Sequence, residues 1–559
     1  MRSALRTGHG RFTRVLALSV LTGIITGAVV AVFELAVSEV LLAELENLSL
    51  WQLALAPGIG LALASAVLHF GAPGSSAATS DEYVRCFHDR HPRLPLRVFP
   101  VKMLAGALTI GSGGAVGLEG PAIYAGSTIG LTLQERLHRF FRREETKLLL
   151  TAGAAAGVAA VFKTPATGVI FALEAPYRDD VTRRALLPAL LASAAGYISY
   201  VVIIGTDPVV PFIGRARFDG GGGGLFEFNL ADIGGALLLG VVAGLAARGF
   251  AWLVRRAKTA ESVSLPLRVA LGAVVLAGLT VASDAFFEEP LSLGPGYRAM
   301  EWVVGDHAIG LIALLFGIRL SATVVTLAAG GVGGVFIPLA TLGVILGQFV
   351  SEVLGSEKPT LYPTLGLAAF LGAGYRAPLT AVMFVAESTG GGVFVVPALI
   401  AAAVSQLVTG PNSVSSYQRT ERMGHLEARF ALPLSSALTT DVFTVPPDAT
   451  VSEFMFTHVL GRREVVVPVV DGSAYRGMVG LEDVAELDRA AWDTTLMEDV
   501  MRTDLPSAVP SWTLRDAVAE MDRGDVDQLA VTDGHDVFIG IVRVDDILKL
   551  DDILDQTGG

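Results

Sequence analysis

The sequence predicts an all-α polytopic membrane protein made of two related halves of broken helices, followed by a smaller, acidic α/β tail. Composition places the chain between two physical regimes. Of its 559 residues 52% are hydrophobic and 17% charged, with a mean hydropathy of +0.57. That is too apolar for an ordinary soluble protein and too charged for a purely membranous one. The charge separates along the chain. Residues 421–559 hold 11 Lys/Arg and 27 Asp/Glu, a net of −16, and the whole-chain value of −13 then leaves residues 1–420 at +3.

The halves are visible as repeated punctuation. Gly117-Leu118-Glu119-Gly120-Pro121 is followed by Gly126 and Gly130, and Gly334-Val335-Phe336-Ile337-Pro338 by Gly343 and Gly347. Both copies read P-x4-G-x3-G at a constant offset of 217. Further on, residues 162–174, beginning Phe162-Lys163-Thr164-Pro165 and ending in Glu174, match residues 375–387, beginning Tyr375-Arg376-Ala377-Pro378 and ending in Glu387.

Apolar segments fall near 15–42, 51–70, 98–112, 121–135, 147–160, 165–175 and 185–206, then near 230–254, 267–286, 306–330, 336–355, 363–374, 378–388 and 392–409. Many are shorter than the roughly 20 residues that a full span needs, so tilted or re-entrant helices are expected. Broken backbone survives in a bilayer only inside protein or along a watery cavity. Paired interruptions in two related halves therefore point to a binding site near mid-membrane. Half-helix N-termini carry unsatisfied N–H groups and positive partial charge, so converging ones attract an anion without a buried Lys or Arg. Glycines let the backbone come close to the ion.

Other classes fit less well. The acidic tail lacks the basic surface that phosphate neutralisation requires, so no nucleic-acid partner is expected. The single cysteine, Cys86, allows no intramolecular disulfide and reads as packing. None of the nine histidines forms the His-Glu-x-x-His helix of an intramembrane metalloprotease, and His88 and His91 flank Arg90 beside Pro92, poor ground for a metal. No catalytic constellation appears, so the chain is not expected to be an enzyme. A cation transporter regulated by its tail is the more distant alternative, but it would need acidic pore residues that are sparse here. Arg2, Arg6, Arg11 and Arg14 precede the apolar run 15–37, which is too long for a secretory signal and reads as a first membrane helix with its basic end cytoplasmic. The glycine run 220–224 reads as a flexible connection between the halves.

These motifs resemble the CLC family of chloride channels and chloride/proton exchangers over nearly the whole chain. Gly117 to Pro121 stands as its G-x-E-G-P motif and Gly334 to Pro338 as its G-x-F-x-P motif. The resemblance implies an inverted repeat of tilted helices over residues 1–420 (halves about 13–210 and 228–420) and a homodimer with two pores. It also implies a prokaryotic inner-membrane location with the N-terminus and tail cytoplasmic, lipid around the protein, and chloride or a similar small anion as the transported species. Glu119 then corresponds to the gating glutamate, whose carboxylate competes with the anion. The plainer reading of Glu119 is a cap at a helix start. The implied anion-binding set is the backbone around Ala78, Thr79, Gly117, Leu118, Gly120, Val335, Phe336 and Ile337, with the Tyr417 hydroxyl closing the inner side. Packing alone would also explain Phe336, and an interfacial anchor would also explain Tyr417.

The chain departs from that pattern in two places. The family's first motif is degraded: an ungapped count puts Ala78 where its serine stands, leaving Ser75, Ser76 or Ser80 as possible hydroxyl donors. The internal proton-transfer glutamate position falls on Ala175, beside Glu174. Alanine cannot relay a proton, and Glu174 matches Glu387 in the other half, which points to a helix-end role for both. Passive conduction gated by Glu119 is therefore favoured over proton-coupled antiport, the alternative.

The tail is itself a repeat, with residues 477–483 recurring at 540–546 at an offset of 63. Strand runs ending in Asp-Gly turns and leading into a helix resemble a tandem pair of CBS domains, over 431–490 and 491–559. Such pairs bind adenine nucleotides, with an aspartate on the ribose. Asp483 and Asp546 match that position, whereas Gly480 and Arg543 stand where Ser/Thr would approach phosphate. Solvated helix-start aspartates are the plainer reading. No other cofactor is expected.

Overall fold

The computed structural model describes residues 2–557 apart from 46, 90–91, 139–140, 142–146, 211–229, 260–262, 390–393, 421–429, 462–465 and 486. The glycine run 220–224 lies outside the described residues. The chain divides into two compact units, Met1–Arg422 and Met423–Gly559.

The first unit is helical throughout. In its first half, α1 (Arg2–Glu34) continues through a widened turn, Leu35–Leu42, and is followed by α2 (Leu50–Gly71), α3 (Ser80–His88), α4 (Phe99–Gly111), α5 (Glu119–Arg136), α6 (Leu148–Phe162), α7 (Pro165–Glu174) and α8 (Leu186–Ile204). The second half comprises α9 (Leu230–Lys258), α10 (Leu265–Phe287), α11 (Tyr297–Val303), α12 (Ile309–Ala328), α13 (Phe336–Leu354), α14 (Leu361–Tyr375), α15 (Pro378–Thr389) and α16 (Val395–Thr409). Seven of the described helices are long and apolar enough to cross a membrane, and four more are apolar but shorter, among them α4, α6 and α7. The protein is an integral membrane protein. The expected mixture of long and short apolar helices is present among the described residues.

Packing repeats as the sequence does. Helix α5 lies against α6 as α13 lies against α14, and α1 against α8 as α9 against α16. The glycines of the repeated motif make the first of these contacts. A Cβ on Gly126 would come within 1.9 Å of the Gly153 carbonyl oxygen, and one on Gly343 within 2.3 Å of that of Gly366. Gly130 and Gly347 meet Leu149 and Tyr362 in the same way. The x3-spaced glycines let two helix backbones touch, as small residues do between membrane helices.

The tail forms two small sheets. Strand β1 (Val466–Asp471) pairs antiparallel with β2 (Ala474–Gly480) through a turn at Gly472, where φ is +64°. In the second, β3 (Ser507–Ala508) runs parallel to β4 (Gln528–Thr532), which pairs antiparallel with β5 (Phe538–Arg543) through Gly534, φ +86°. Asp-Gly supplies both turns because glycine reaches positive φ at no steric cost. Each hairpin leads directly into a helix, α17 (Leu481–Val484) after β2 and α19 (Val544–Thr557) after β5, with α18 (Leu514–Gly524) covering the second sheet. The helix of the second repeat is thus much longer than that of the first.

Candidate functional site

Two halves of a repeat can meet at equivalent points, and here they do. Gly117 and Gly334, the first residues of the two motifs, donate to each other's carbonyl oxygens at 2.8 Å in both directions, a reciprocal antiparallel bridge. Such a self-complementary contact is what a local two-fold relation produces. It brings the starts of α5 and α13 together. The start of α3 joins them: the Thr79 hydroxyl donates to the Gly333 carbonyl at 3.1 Å, and a Cβ on Gly120 would lie 2.3 Å from Thr79 Oγ1 and 2.6 Å from the Gly334 nitrogen. Only glycine admits this approach.

Glu119 sits at the point of convergence, fully buried. Its Oε1 accepts a hydrogen bond from the Phe336 backbone N–H at 2.6 Å, and the Ile337 N–H also faces the carboxylate. Oε2 is buried without a hydrogen-bond partner. The carboxylate therefore occupies the N-terminus of α13, a helix it does not belong to. Its own backbone N–H, at the start of α5, also faces the carboxylate, so the cap of its own helix and the contact to α13 are both present. The N–H groups and dipole that favour a carboxylate at a helix start are also those that favour a free anion. Val335, Phe336 and Ile337 are buried around it, as are Gly117, Leu118 and Gly120.

Phe336 also packs. Its ring centre lies 4.4 Å from that of Phe162, 6.0 Å from Phe171, 5.3 Å from Phe384 and 6.2 Å from Tyr375. Phe162 and Tyr375 are equivalent positions of the repeat, and both rings flank Phe336.

The start of α3 is more occupied than the sequence indicated. The Ala78 carbonyl accepts from Lys102 Nζ at 2.8 Å, and Asp81 in the first turn pairs with Lys258 at 2.5 Å. Of the three candidate serines, Ser76 binds Glu82 at 2.9 Å, whereas Ser80 is the one whose side chain faces Tyr375. Tyr417 does not reach this cluster. It is 46% exposed, because its neighbour Gln418 turns inward and donates 2.9 Å hydrogen bonds to the carbonyls of Ala175 and Tyr375. The buried tyrosine at the converging helix starts is Tyr375. Its sequence signal was an aromatic residue matched to Phe162 immediately before Arg376-Ala377-Pro378.

Ala175 is 1% exposed and ends α7. Glu174 beside it is committed elsewhere: its carboxylate accepts from the N–H of Leu379 at 3.1 Å, the N–H of Thr380 at 2.9 Å and the Thr380 hydroxyl at 2.6 Å.

In the tail, Asp483 accepts from the Gly480 N–H at 2.6 Å, closing its own helix start. Asp546 accepts from the Thr439 hydroxyl at 3.3 Å and lies 3.4 Å from Lys549, and Arg543 donates to Gln528 Oε1 at 3.2 Å. Asp483 thus caps its own helix start, whereas Asp546 reaches a residue distant in the chain and Arg543 one on the neighbouring strand.

Comparison with known proteins gives concordant matches. Residues 59–410 match the model of the voltage gated chloride channel family, and residues 434–489 and 497–552 each match the CBS domain. The H+/Cl− exchange transporter ClcA of Vibrio cholerae is 28% identical over 407 residues, covering 69% of this chain and 84% of that protein. Its Cronobacter sakazakii namesake is 27% identical over 410 residues, with the same coverage of both. Among solved structures, a slow cyanobacterial Cl−/H+ antiporter superposes with a TM-score of 0.61 at 23% identity over 71% of this chain and 94% of its own. A eukaryotic CLC transporter does so with a TM-score of 0.59 at 18% identity, over 96% and 98%. With a helical repeat closed around Glu119, a tail of two strand-turn-strand-helix units, and a family match over most of the chain, this protein belongs to the voltage gated chloride channel family and carries a C-terminal CBS pair.

Proposed function

We propose that the protein moves chloride across the membrane through the path on which Glu119 sits, the carboxylate and the anion competing for the N-terminus of α13. The observation that carries this reading is the 2.6 Å hydrogen bond from the Phe336 N–H to Glu119 Oε1. An anion-shaped side chain already fills an anion-shaped place. The names of the relatives, which are chloride/proton exchange transporters, support chloride as the transported species.

Conduction is passive in this proposal. A proton crossing the interior needs ionisable groups at short intervals, because an isolated charge is strongly disfavoured there. Ala175 offers none, and Glu174 is tied to Thr380. The competing reading, proton-coupled antiport, draws on what the relatives are named. The protein acts as a homodimer with one path per subunit, its N-terminus and CBS pair on the cytoplasmic side of a prokaryotic inner membrane.

The deciding experiment is the reversal potential of reconstituted protein across combined chloride and pH gradients. Passive conduction places it at the chloride equilibrium potential whatever the pH gradient. Uphill proton movement driven by a chloride gradient would overturn conduction in favour of antiport, and absence of any chloride flux would overturn the transport reading itself.

A further inference from the structure

Arg319 is a buried charge that a gate at Glu119 alone leaves unexplained. It lies on α12, one of the helices long and apolar enough to cross a membrane, and is 1% exposed. Its guanidinium donates to five successive main-chain carbonyls: Nη1 to Leu291 at 3.2 Å, Ser292 at 2.9 Å and Leu293 at 3.1 Å, and Nη2 to Gly294 at 3.0 Å and Pro295 at 2.9 Å. All five partners are neutral, and among the described residues the arginine forms no ion pair. The loop it holds touches the approaches to both helices that meet at Glu119. The Gly294 N–H donates to the Gly113 carbonyl at 2.8 Å, on the stretch that enters α5. A Cβ on Gly296 would come within 2.3 Å of Thr341 Oγ1 and 2.9 Å of Arg319 Nη2, so the guanidinium rests against the second turn of α13. There the Thr341 hydroxyl donates to the Ile337 carbonyl at 2.9 Å, one turn from the helix start.

Five carbonyls need donors, and amides or water would supply them without a charge. An arginine stays protonated in a protein, and an ion in apolar surroundings is costly unless something of opposite sign offsets it. Carbonyl dipoles do part of this. The acid on the helix start against which Arg319 rests is Glu119, whose Oε1 accepts from the Phe336 N–H. One helical turn and a side chain separate the two charges, roughly 10 Å, a range over which Coulomb attraction in a protein interior is still felt. The other titratable groups facing Glu119 are two phenols, Tyr297 at the start of α11 and Tyr375 at the end of α14, and phenols carry no charge near neutral pH. Beyond Tyr297 stands Glu34 of α1, which accepts from the Tyr200 hydroxyl and has Lys163 and Glu39 beside it.

We propose that Arg319 is a positioning residue of the gate: its fixed charge, presented through the 291–295 loop, favours the ionised Glu119 carboxylate and so keeps it seated on the α13 start. The inference rests on the reading of Glu119 as the competitor of chloride. It gives the arginine a part in setting the pH at which the gate opens, beyond fastening the loop.

The test is chloride efflux from proteoliposomes of the full-length protein, measured across a pH series. Arg319→Gln keeps a donor for the loop and removes the charge. Without that charge the carboxylate is neutralised more easily, so the midpoint of the rise in flux is expected to move to higher pH by about one unit. Arg319→Lys keeps the charge but cannot span five carbonyls, and is expected to hold the wild-type midpoint even where its unfolding temperature falls. The double variant Glu119→Gln/Arg319→Gln is expected to show flux flat across pH, which excludes Glu34 as the group being shifted. A wild-type midpoint in Arg319→Gln overturns the proposal, as does an Arg319→Lys midpoint displaced as far as that of Arg319→Gln, since both changes would then act through the loop alone. Should Arg319→Gln not fold, Arg319→Lys decides: an unchanged midpoint supports the charge and a displaced one overturns it. Wild-type protein whose chloride flux ignores pH overturns this inference and the gate at Glu119 together, and wild-type protein that moves no chloride overturns the proposed function as well.

Discussion

Glu174 and Glu387, equivalent residues of the two halves, exchange roles across the molecule. Glu174 caps the start of α15 through the N–H of Thr380 at 2.9 Å and its hydroxyl at 2.6 Å. Glu387 caps the start of α7 through the N–H of Thr167 at 2.7 Å and its hydroxyl at 2.6 Å. Each also takes the preceding N–H, from Leu379 and from Ala166. Each half therefore closes the helix start of the other.

Removing either cap should cost about the same. Glu174→Ala and Glu387→Ala are each expected to destabilise the protein by about 1–3 kcal/mol, since each leaves buried backbone donors without an acceptor. Thermal unfolding of the purified variants measures this. A Glu174→Ala protein as stable as wild type but altered in proton handling would contradict the capping role.

Glu119→Gln and Glu119→Ala should abolish the pH dependence of anion flux while leaving permeation intact. In the wild type the ionised carboxylate competes for the Phe336 N–H, so flux should rise as pH falls and the carboxylate is neutralised. Without the charge, flux should be flat across pH. A proteoliposome efflux series at several pH values tests the sign, and normal pH-dependent gating in either variant would remove Glu119 from the gate.

The glycine seams should tolerate no methyl group. Gly126→Ala and Gly343→Ala place a Cβ 1.9 Å and 2.3 Å from a facing carbonyl oxygen, and are each expected to lower stability by about 1–3 kcal/mol through forced separation of the helices. Gly249 on α9 has nothing within 4 Å of such a Cβ, so Gly249→Ala should stay within about 1 kcal/mol of wild type. Equal unfolding temperatures for all three variants would dissociate the motif from packing.

Adenine nucleotides are expected to leave the unfolding of the full-length protein unchanged, because the carboxylate of Asp483 is bonded to the Gly480 N–H and that of Asp546 to Thr439. A thermal gain with ATP or AMP that disappears in the Asp483→Ala/Asp546→Ala double variant would instead assign both residues to ribose.

Much of this protein is local and so was legible in the chain. The membrane unit follows from apolar run lengths, the tail's hairpins from two Asp-Gly turns, and the relation between halves from glycines and prolines repeated at fixed offsets. Glu119 was legible too, as an ionisable residue among helix starts in apolar sequence. What the sequence could not determine is which donor meets which acceptor when segments hundreds of residues apart converge. The reciprocal bond of Gly117 and Gly334, the carboxylate of Glu119 on a foreign helix and the exchanged caps of Glu174 and Glu387 all depend on the two-fold docking of the halves. The same limit explains the tyrosine. The family resemblance implied Tyr417, but orientation depends on which neighbour turns inward, and Gln418 does so, donating to two buried carbonyls. That leaves Tyr417 exposed and Tyr375, at the end of a packed helix, buried. Tertiary packing decides this because a buried polar group must find its partner in space, whatever the distance along the chain.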